Sequence, residues 1–122
     1  MTARQAMEGR LGQRFPVPGQ PPVFDVLADR VLGRALDLSA GGVKLLVAEP
    51  LVADALYQVR FMLELDGGAP SEINAGLQVL DHRQDADGML CVGTRFIHLE
   101  GTCARHIVQW LRLQASVVPN GT

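Results

Sequence analysis

The sequence predicts a mainly β fold, a small six-stranded antiparallel barrel followed by one C-terminal α-helix. Six short segments between residues 23 and 99 have strand-like patterns of apolar and polar residues. Turn-forming Gly, Asp and Pro residues separate these segments. The last apolar segment changes to three- and four-residue spacing, which is typical of an amphipathic helix. A chain of 122 residues suits a single domain with this order of elements.

A proline-rich segment, FPVPGQPP at residues 15–22, precedes the strands. It cannot be helical and is at best an edge or irregular strand. The first strand candidate is VFDVLAD, and a tight turn near Asp29 and Arg30 leads to the second candidate, VLGRALDLS. The two faces predicted for VFDVLAD are Phe24, Val26 and Ala28 on one side and Asp25, Leu27 and Asp29 on the other.

The later strands have clearer patterns. VKLLV is the third candidate, LYQVRFMLEL the fourth and EINAGLQVLD the fifth, with the turn DGGAP between the last two. DADGMLCVGTRFIHL holds a turn and then the sixth strand. The residues predicted to alternate onto one face are Val59, Phe61, Leu63 and Leu65 in the fourth candidate, and Ile73, Ala75, Leu77 and Val79 in the fifth.

The segment GTCARHIVQWLRLQA is predicted to be the C-terminal helix. Thr102 is its expected N-cap, and Trp110 is expected to lie in the core, where a lone Trp at helical spacing is commonly found. The spaced residues are Cys103, Ile107, Trp110, Leu111 and Gln114. The expected layout is an arm and connector at residues 1–22, the barrel with its helix at 23–116, and a tail at 117–122.

Composition limits the function classes. The net charge of −2 and the pI of about 5.8 disfavour a general DNA- or RNA-binding protein. No apolar run is long enough to span a membrane, and the first residues lack the apolar centre of a signal peptide. We therefore expect a soluble, cytoplasmic protein without membrane insertion. Cys91 and Cys103 are expected to be buried, reduced thiols.

Catalytic and metal-binding patterns are weak. LDLSAGG lacks the glycine two residues before Ser39 that a hydrolase elbow requires, and Lys44 lies inside a strand rather than in a phosphate loop. His98, Cys103 and His106 form a loose set without a fourth ligand for zinc. We predict no catalytic residue, no metal site and no enzyme activity. The acids of RQDADGM are expected to form a turn.

Charge is concentrated in the N-terminal arm. The first fourteen residues contain three arginines, Arg4, Arg10 and Arg14, and only one acid, Glu8. A frayed, solvated terminus would explain this, and so would a binding site for a small anion. Arg10 and Arg14 are four residues apart, and each guanidinium suits a phosphate or the O6/N7 edge of guanine.

The segment DLSAGG offers complementary groups. Gly41 and Gly42 indicate a turn with positive φ, and their amides could form an anion-binding nest. Asp37 can accept two parallel hydrogen bonds, as N1–H and N2–H₂ of guanine require. Ser39 can donate to a phosphate or bond to its own backbone, and a plain Asx or Ser turn stays open. Arm and turn together suit an anionic guanine nucleotide.

This pattern resembles the signature of the PilZ family. Arg10 and Arg14 in RLGQR match Arg-x-x-x-Arg, and Asp37, Ser39 and Gly42 follow after 23 residues as Asp-x-Ser-x-x-Gly. GGVKLLVAEPL resembles the third-strand region of the family, and the segment from Gly93 to Phe96 resembles its Gly-x-x-Phe. The resemblance covers about residues 10 to 114.

The resemblance implies a six-stranded barrel that serves as a receptor for the bacterial second messenger cyclic di-GMP, with no other cofactor. It implies that Arg10 and Arg14 clasp phosphate and the guanine Hoogsteen edge, and that Asp37 takes the Watson–Crick edge. Ser39 would bond polar ligand atoms, and Gly42 would let the backbone approach closely. Gly41 completes the expected ligand-binding set.

The expected mechanism is binding without turnover. Ligand would draw a mobile arm onto the barrel, and an unidentified partner protein in motility, pilus, biofilm or exopolysaccharide control would detect the change. Two other interpretations stay open: a PilZ-type protein-interaction module that binds no nucleotide, and an unrelated barrel with a chance motif. The number of ligand molecules and the oligomeric state also stay open.

Overall fold

The computed structural model describes residues 12–65 and 67–116, so the predicted tail and most of the arm lie outside the described residues. The described residues form seven strands and one helix. Their order is β1 (Phe15–Pro16), β2 (Pro22–Asp25), β3 (Arg30–Leu38), β4 (Val43–Val47), β5 (Leu56–Glu64), β6 (Pro70–Gln84), β7 (Leu90–Leu99) and α1 (Gly101–Ser116).

The strands close into a barrel. β2, β5, β6, β7, β4 and β3 pair in that order, and β3 pairs again with β2, so six antiparallel strands complete the ring of the described structure. The predicted six-stranded barrel with a C-terminal helix is confirmed. In this ring β4 lies three strands away from β5 in either direction, so β4 and β5 form opposite walls.

β1 is an outer strand added to β3, and it lies inside the proline-rich segment. Its register pairs are Phe15 with Leu38 and Pro16 with Asp37. The strand is this short because proline has no N–H to donate to a ladder. The prediction that the segment is at best an edge or irregular strand is confirmed. Val17 follows β1, is buried, and donates its N–H to the carbonyl of Leu36 at 3.0 Å.

The core lies inside the ring and under α1. β5 and β6 alternate as predicted, because every second residue points inward in a strand with one face on the core. Leu65 is half-buried after β5 ends. The inward residues of the two strands are Val59, Phe61 and Leu63 from β5 and Ile73, Ala75, Leu77 and Val79 from β6.

The prediction for the first strand was wrong in its second half. β2 ends at Asp25, and Val26 and Leu27 are exposed in the turn that follows. The buried Asp25 ends the strand because its Oδ1 accepts a hydrogen bond from the N–H of Ala28 at 3.1 Å. Asp29 then takes the left-handed conformation, with φ of 53°, and closes the turn into β3.

The hairpin between β6 and β7 is built as the turn prediction required. Oδ1 of Asp85 accepts hydrogen bonds from the N–H groups of Asp87 at 3.0 Å and Met89 at 2.8 Å. Gly88 supplies a φ of 79°. These bonds let β6 continue to Gln84, three residues beyond the predicted strand.

The helix α1 packs its apolar face on β6 and β5. The burial of Trp110 in the core is confirmed, since its exposed fraction is 2%. The prediction of Thr102 as N-cap was wrong by two residues: the helix begins at Gly101, and the carbonyl of Glu100 accepts the first helical bond from the N–H of Ala104 at 2.8 Å. The buried residues of α1 are Cys103, Ile107, Trp110 and Leu111.

Both cysteines are free and buried, as predicted. Cys103 lies against β6, where its Sγ accepts from the N–H of Asn74 at 3.4 Å and donates to the carbonyl of Glu72 at 3.7 Å. Among the described residues, no group of three or more His, Cys, Asp or Glu side chains is arranged to hold a metal ion. In the same part of the chain, no helix combines the length and apolarity needed to cross a bilayer.

Candidate ligand-binding surface beside the β3–β4 turn

The pairing of β1 with β3 places Arg14, the second arginine of the signature, near the DLSAGG segment. Pro16 lies opposite Asp37, so Arg14, the residue before β1, lies at the level of Ser39, the residue after β3. Arg14 is exposed and Asp37 is half-buried. The residues between them form the connector with β1, then β2 and most of β3, and the antiparallel pairing of β3 with β1 brings the two ends close. Arg10 lies outside the described residues.

A β-bulge precedes Asp37. The register between β3 and β4 shifts between Ala35 and Asp37, and regular pairing resumes with Asp37 opposite Lys44. Bulges re-aim the side chains that follow them. Leu38 and Val43, the next register pair toward the turn, are buried in the core, so Asp37 and Lys44 belong to the outer face of the barrel.

The row continues across two more strands. Lys44 lies opposite Gly93 on β7, and Gly93 lies opposite Asp81 on β6. The N–H of Gly93 donates to Oδ1 of Asp81 at 3.2 Å. An outer row of Asp37, Lys44, Gly93 and Asp81 therefore runs from the predicted site over β4, β7 and β6.

The turn of DLSAGG is closed by Ser39. Its N–H donates to the carbonyl of Gly42 at 3.0 Å, and its hydroxyl donates to the same carbonyl at 3.4 Å. The hydroxyl oxygen also accepts from the N–H of Gly41 at 3.3 Å. Ser39 is only 6% exposed. Its side chain therefore shapes the turn, which is the local Ser turn that residue chemistry alone had left open.

Gly41 and Gly42 differ from the expectation. Neither has a positive φ, so the turn does not depend on the left-handed freedom of glycine. Gly42 is required for a different reason: an added Cβ would collide with the carbonyl oxygen of Thr94 and would lie 2.9 Å from Cα of Arg95. Gly41 has open space around it, and its carbonyl accepts from the N–H of Phe96 at 2.8 Å. The close approach is to β7.

The charged atoms of the site have no partner within the described part of the chain. The structure records no hydrogen bond or ion pair there for the guanidinium of Arg14, the carboxylate of Asp37 or the ammonium of Lys44. A shallow depression of about 190 Å³ lies beside Arg14 and Lys44. It is lined by Arg14, Lys44, Asp81, Arg83, Cys91 and Gly93.

Lys44, which the sequence analysis did not include among the candidate site residues, lines the depression together with Arg14. The signal was present, because Val43, Leu45 and Val47 alternate inward in VKLLV and leave Lys44 outward, seven residues after Asp37. A second hollow, of about 800 Å³, lies along the outer face of α1 and includes none of the signature residues. The signature and the charged depression therefore share one side of the barrel.

The described residues form a small closed β-barrel whose outer face carries a shallow depression lined by charged residues. A model of the PilZ domain matches residues 8–113. This match covers most of the chain, so the protein belongs to the PilZ family, as the sequence resemblance indicated.

Two solved structures have a similar fold. The Bacillus subtilis inhibitor of motility MotI/DgrA gives a TM-score of 0.70 at 10% identity, over 83% of this chain and 48% of that one. The PilZ domain of YcgR from Escherichia coli, solved with c-di-GMP, gives a TM-score of 0.58 at 19% identity, over 87% of this chain and 96% of that one. A search of curated proteins gave no match. At these identities the likeness concerns the fold.

Proposed function

We propose that this protein is a cyclic di-GMP receptor that signals to a separate protein through its N-terminal arm. The observation that carries the proposal is the placement of Arg14 and Asp37 on the neighbouring strands β1 and β3, within two register positions of each other, with their charged atoms unpaired in the described structure. Groups with unsatisfied charge on a rigid scaffold are suited to binding a ligand of complementary charge.

The two side chains suit the two kinds of group on a guanine nucleotide. The guanidinium of Arg14 offers a planar fork for a phosphate or for O6 and N7 of guanine. The carboxylate of Asp37 offers two acceptors for N1–H and N2–H₂ of the opposite edge. Arg10, four residues before Arg14, is proposed as the second fork. The YcgR PilZ domain, whose structure was solved with c-di-GMP, supports this choice of ligand by its similar fold.

The turn residues are proposed to support these contacts. Ser39 holds the turn closed through its bonds to Gly42 and Gly41, and the free lone pair of its hydroxyl oxygen is left for a ligand donor. Gly42 keeps the turn pressed against β7. In this arrangement Asp37 is presented by a backbone that is fixed before the ligand arrives, which lowers the entropy cost of binding.

Binding would order the arm. Each residue that becomes fixed costs about 1–2 kcal/mol of conformational entropy, and each charge-assisted bond contributes about 1.5–3 kcal/mol. Several such bonds, together with base stacking, would outweigh this cost and give a dissociation constant in the micromolar range, which corresponds to a binding free energy of about 8 kcal/mol. The similarity to an inhibitor of motility supports a role in motility control. The protein would act in the cytoplasm as a receptor without catalytic activity.

Calorimetric titration with cyclic di-GMP tests the proposal. We expect micromolar or tighter binding that Arg14→Ala and Asp37→Ala each abolish. Arg60→Ala is the matched control, because Arg60 lies on the opposite wall, β5, and should bind normally. The fitted stoichiometry distinguishes one ligand molecule from two. Absence of heat, together with unchanged NMR spectra, would overturn the proposal.

The second candidate is a PilZ-type protein-interaction module that binds no nucleotide. The similarity of fold to MotI/DgrA, an inhibitor of motility, supports action on another protein, with or without a nucleotide. In that case the signature residues Arg14 and Asp37 would be present but would bind no ligand. Pull-downs with the intact protein, in the presence and absence of cyclic di-GMP, separate the two candidates: nucleotide-independent capture of one partner favours the module.

A further inference from the structure

We propose that Lys44 is a third cation of the ligand site and contacts a phosphate of the bound cyclic dinucleotide from the wall of the barrel. This inference rests on the proposed function and extends its site beyond the signature, over β4, β7 and β6. The ligand group is a phosphodiester anion, and the depression between Arg14 and Lys44 is the place it would occupy.

The register places Lys44 in the middle of the site. It lies directly opposite Asp37 on one side and Gly93 on the other, and its neighbours Val43 and Leu45 are buried. Its side chain therefore leaves the barrel on the same face as the carboxylate of Asp37. The depression that Lys44 lines with Arg14 measures about 190 Å³, which is enough for part of a dinucleotide but not for all of it.

The acidic neighbours do not neutralise Lys44. Asp81 uses Oδ1 to accept from the N–H of Gly93 at 3.2 Å, and its Oδ2 lies 3.8 Å from Nε of Arg83. Asp37 makes no recorded ion pair with Lys44 within the described residues, although the two are register partners. Lys44 is a half-buried residue whose ammonium has no ion-pair partner among the described residues, which favours an anion that arrives from solution.

Gly93 and Asp81 line the part of the depression next to Lys44. An added Cβ would collide with Oδ1 of Asp81, so this position of β7 carries no side chain between Lys44 and Asp81. Glycine at this position makes room for the Asp81 carboxylate, which lies over Gly93 and accepts its N–H. The Gly93 position belongs to the Gly-x-x-Phe segment, to which the sequence alone attached no role in binding.

The first test compares charge removal on opposite walls of the barrel. Lys44→Gln and Arg60→Gln each remove one positive charge and keep a long polar side chain, and Arg60 lies on β5, three strands away from β4. We expect Lys44→Gln to weaken cyclic di-GMP binding about ten- to a hundredfold, as loss of one charge-assisted contact predicts. Arg60→Gln should bind like the unaltered protein, and Lys44→Arg should retain most of the affinity.

A second readout needs no substitution. Lys44 is the single lysine of the sequence, so reductive ¹³C-methylation labels its ammonium and otherwise the amine of the chain terminus. Methylation keeps the positive charge. We expect the Lys44 methyl resonance to shift on titration with cyclic di-GMP, and the shift to saturate at the dissociation constant found by calorimetry. This readout holds even where a Lys44 variant fails to fold.

The outcomes separate the two proposals. If the unaltered protein binds cyclic di-GMP while Lys44→Gln binds equally well and the methyl resonance stays fixed, the role of Lys44 is overturned and the receptor function stands. If the unaltered protein binds no cyclic di-GMP, the receptor function is overturned and the role of Lys44 falls with it. Selective weakening by Lys44→Gln, with a saturating shift, is the result expected.

Discussion

Replacing Gly42 by alanine tests whether the β3–β4 turn is pressed against β7 as the structure has it. The new Cβ would meet the carbonyl oxygen of Thr94 and lie 2.9 Å from Cα of Arg95. Both are backbone atoms of a central strand, so neither can swing aside as a flexible side chain would. The turn itself must move, and this strains the bond from Val43 N–H to Oγ1 of Thr94, 3.3 Å long.

The expected cost follows from overpacking. Forcing one extra carbon into a well-packed site costs about 1–3 kcal/mol. For 122 residues the entropy of unfolding is about 0.26 kcal/mol per kelvin, so each kcal/mol lowers the Tm by about 4 °C. We therefore expect Gly42→Ala to lower the Tm by about 4–12 °C.

Gly41→Ala is the matched control. The neighbouring glycine has no atom within 4 Å of an added Cβ and no positive φ. Alanine there should leave stability unchanged or raise it slightly, because it restricts the unfolded chain. Urea and thermal unfolding followed by far-UV circular dichroism measure both variants. Equal stability of Gly42→Ala and Gly41→Ala would refute the close approach of the turn to β7.

Three further outcomes are expected. Trp110→Ala should lower the free energy of unfolding by about 3–5 kcal/mol in urea titrations, because Trp110 lies on the buried face of α1 and is 2% exposed. Thr94→Val should cost about 1–3 kcal/mol, because the Thr94 hydroxyl donates to the Val43 carbonyl at 2.7 Å and accepts from its N–H, whereas Thr94→Ser should be nearly neutral. Cys91 and Cys103 should react with a thiol reagent only as fast as the protein opens, since they are 5% and 4% exposed, and rapid labelling under native conditions would contradict their burial.

The alternating strands were predictable because each has one solvent-exposed face and one buried face. In β5 the inward positions of Val59, Phe61 and Leu63 are apolar and the outward positions are polar or exposed, so the period of two is visible in the sequence. VFDVLAD misled for a physical reason. Its inward position after Val23 is an aspartate, Asp25, which is buried because it closes a turn through its own hydrogen bonds.

The signature identified the family but not the geometry of the site. The spacing from Arg14 to Asp37 carries no information about their distance, because β1, with two register pairs, is what sets it. The role of Gly42 was not predictable either, since its neighbour is Thr94, fifty-two residues later on β7. The alternation of buried residues in VKLLV predicts that Lys44 points outward. Lys44 does not belong to the signature, however, and was considered only as part of a phosphate loop.

The way β1 is held limits how a signal could leave the barrel. Phe15 and Pro16 pair with β3. Val17 is buried, and its N–H donates to the carbonyl of Leu36. These contacts tie the connector to the wall that presents Asp37. A ligand-driven rearrangement of the arm therefore has to begin on the N-terminal side of Phe15. Arg14 stands at that boundary, so a ligand that engages Arg14 and Asp37 together would join the arm to the rigid wall at the last residue before the anchored segment.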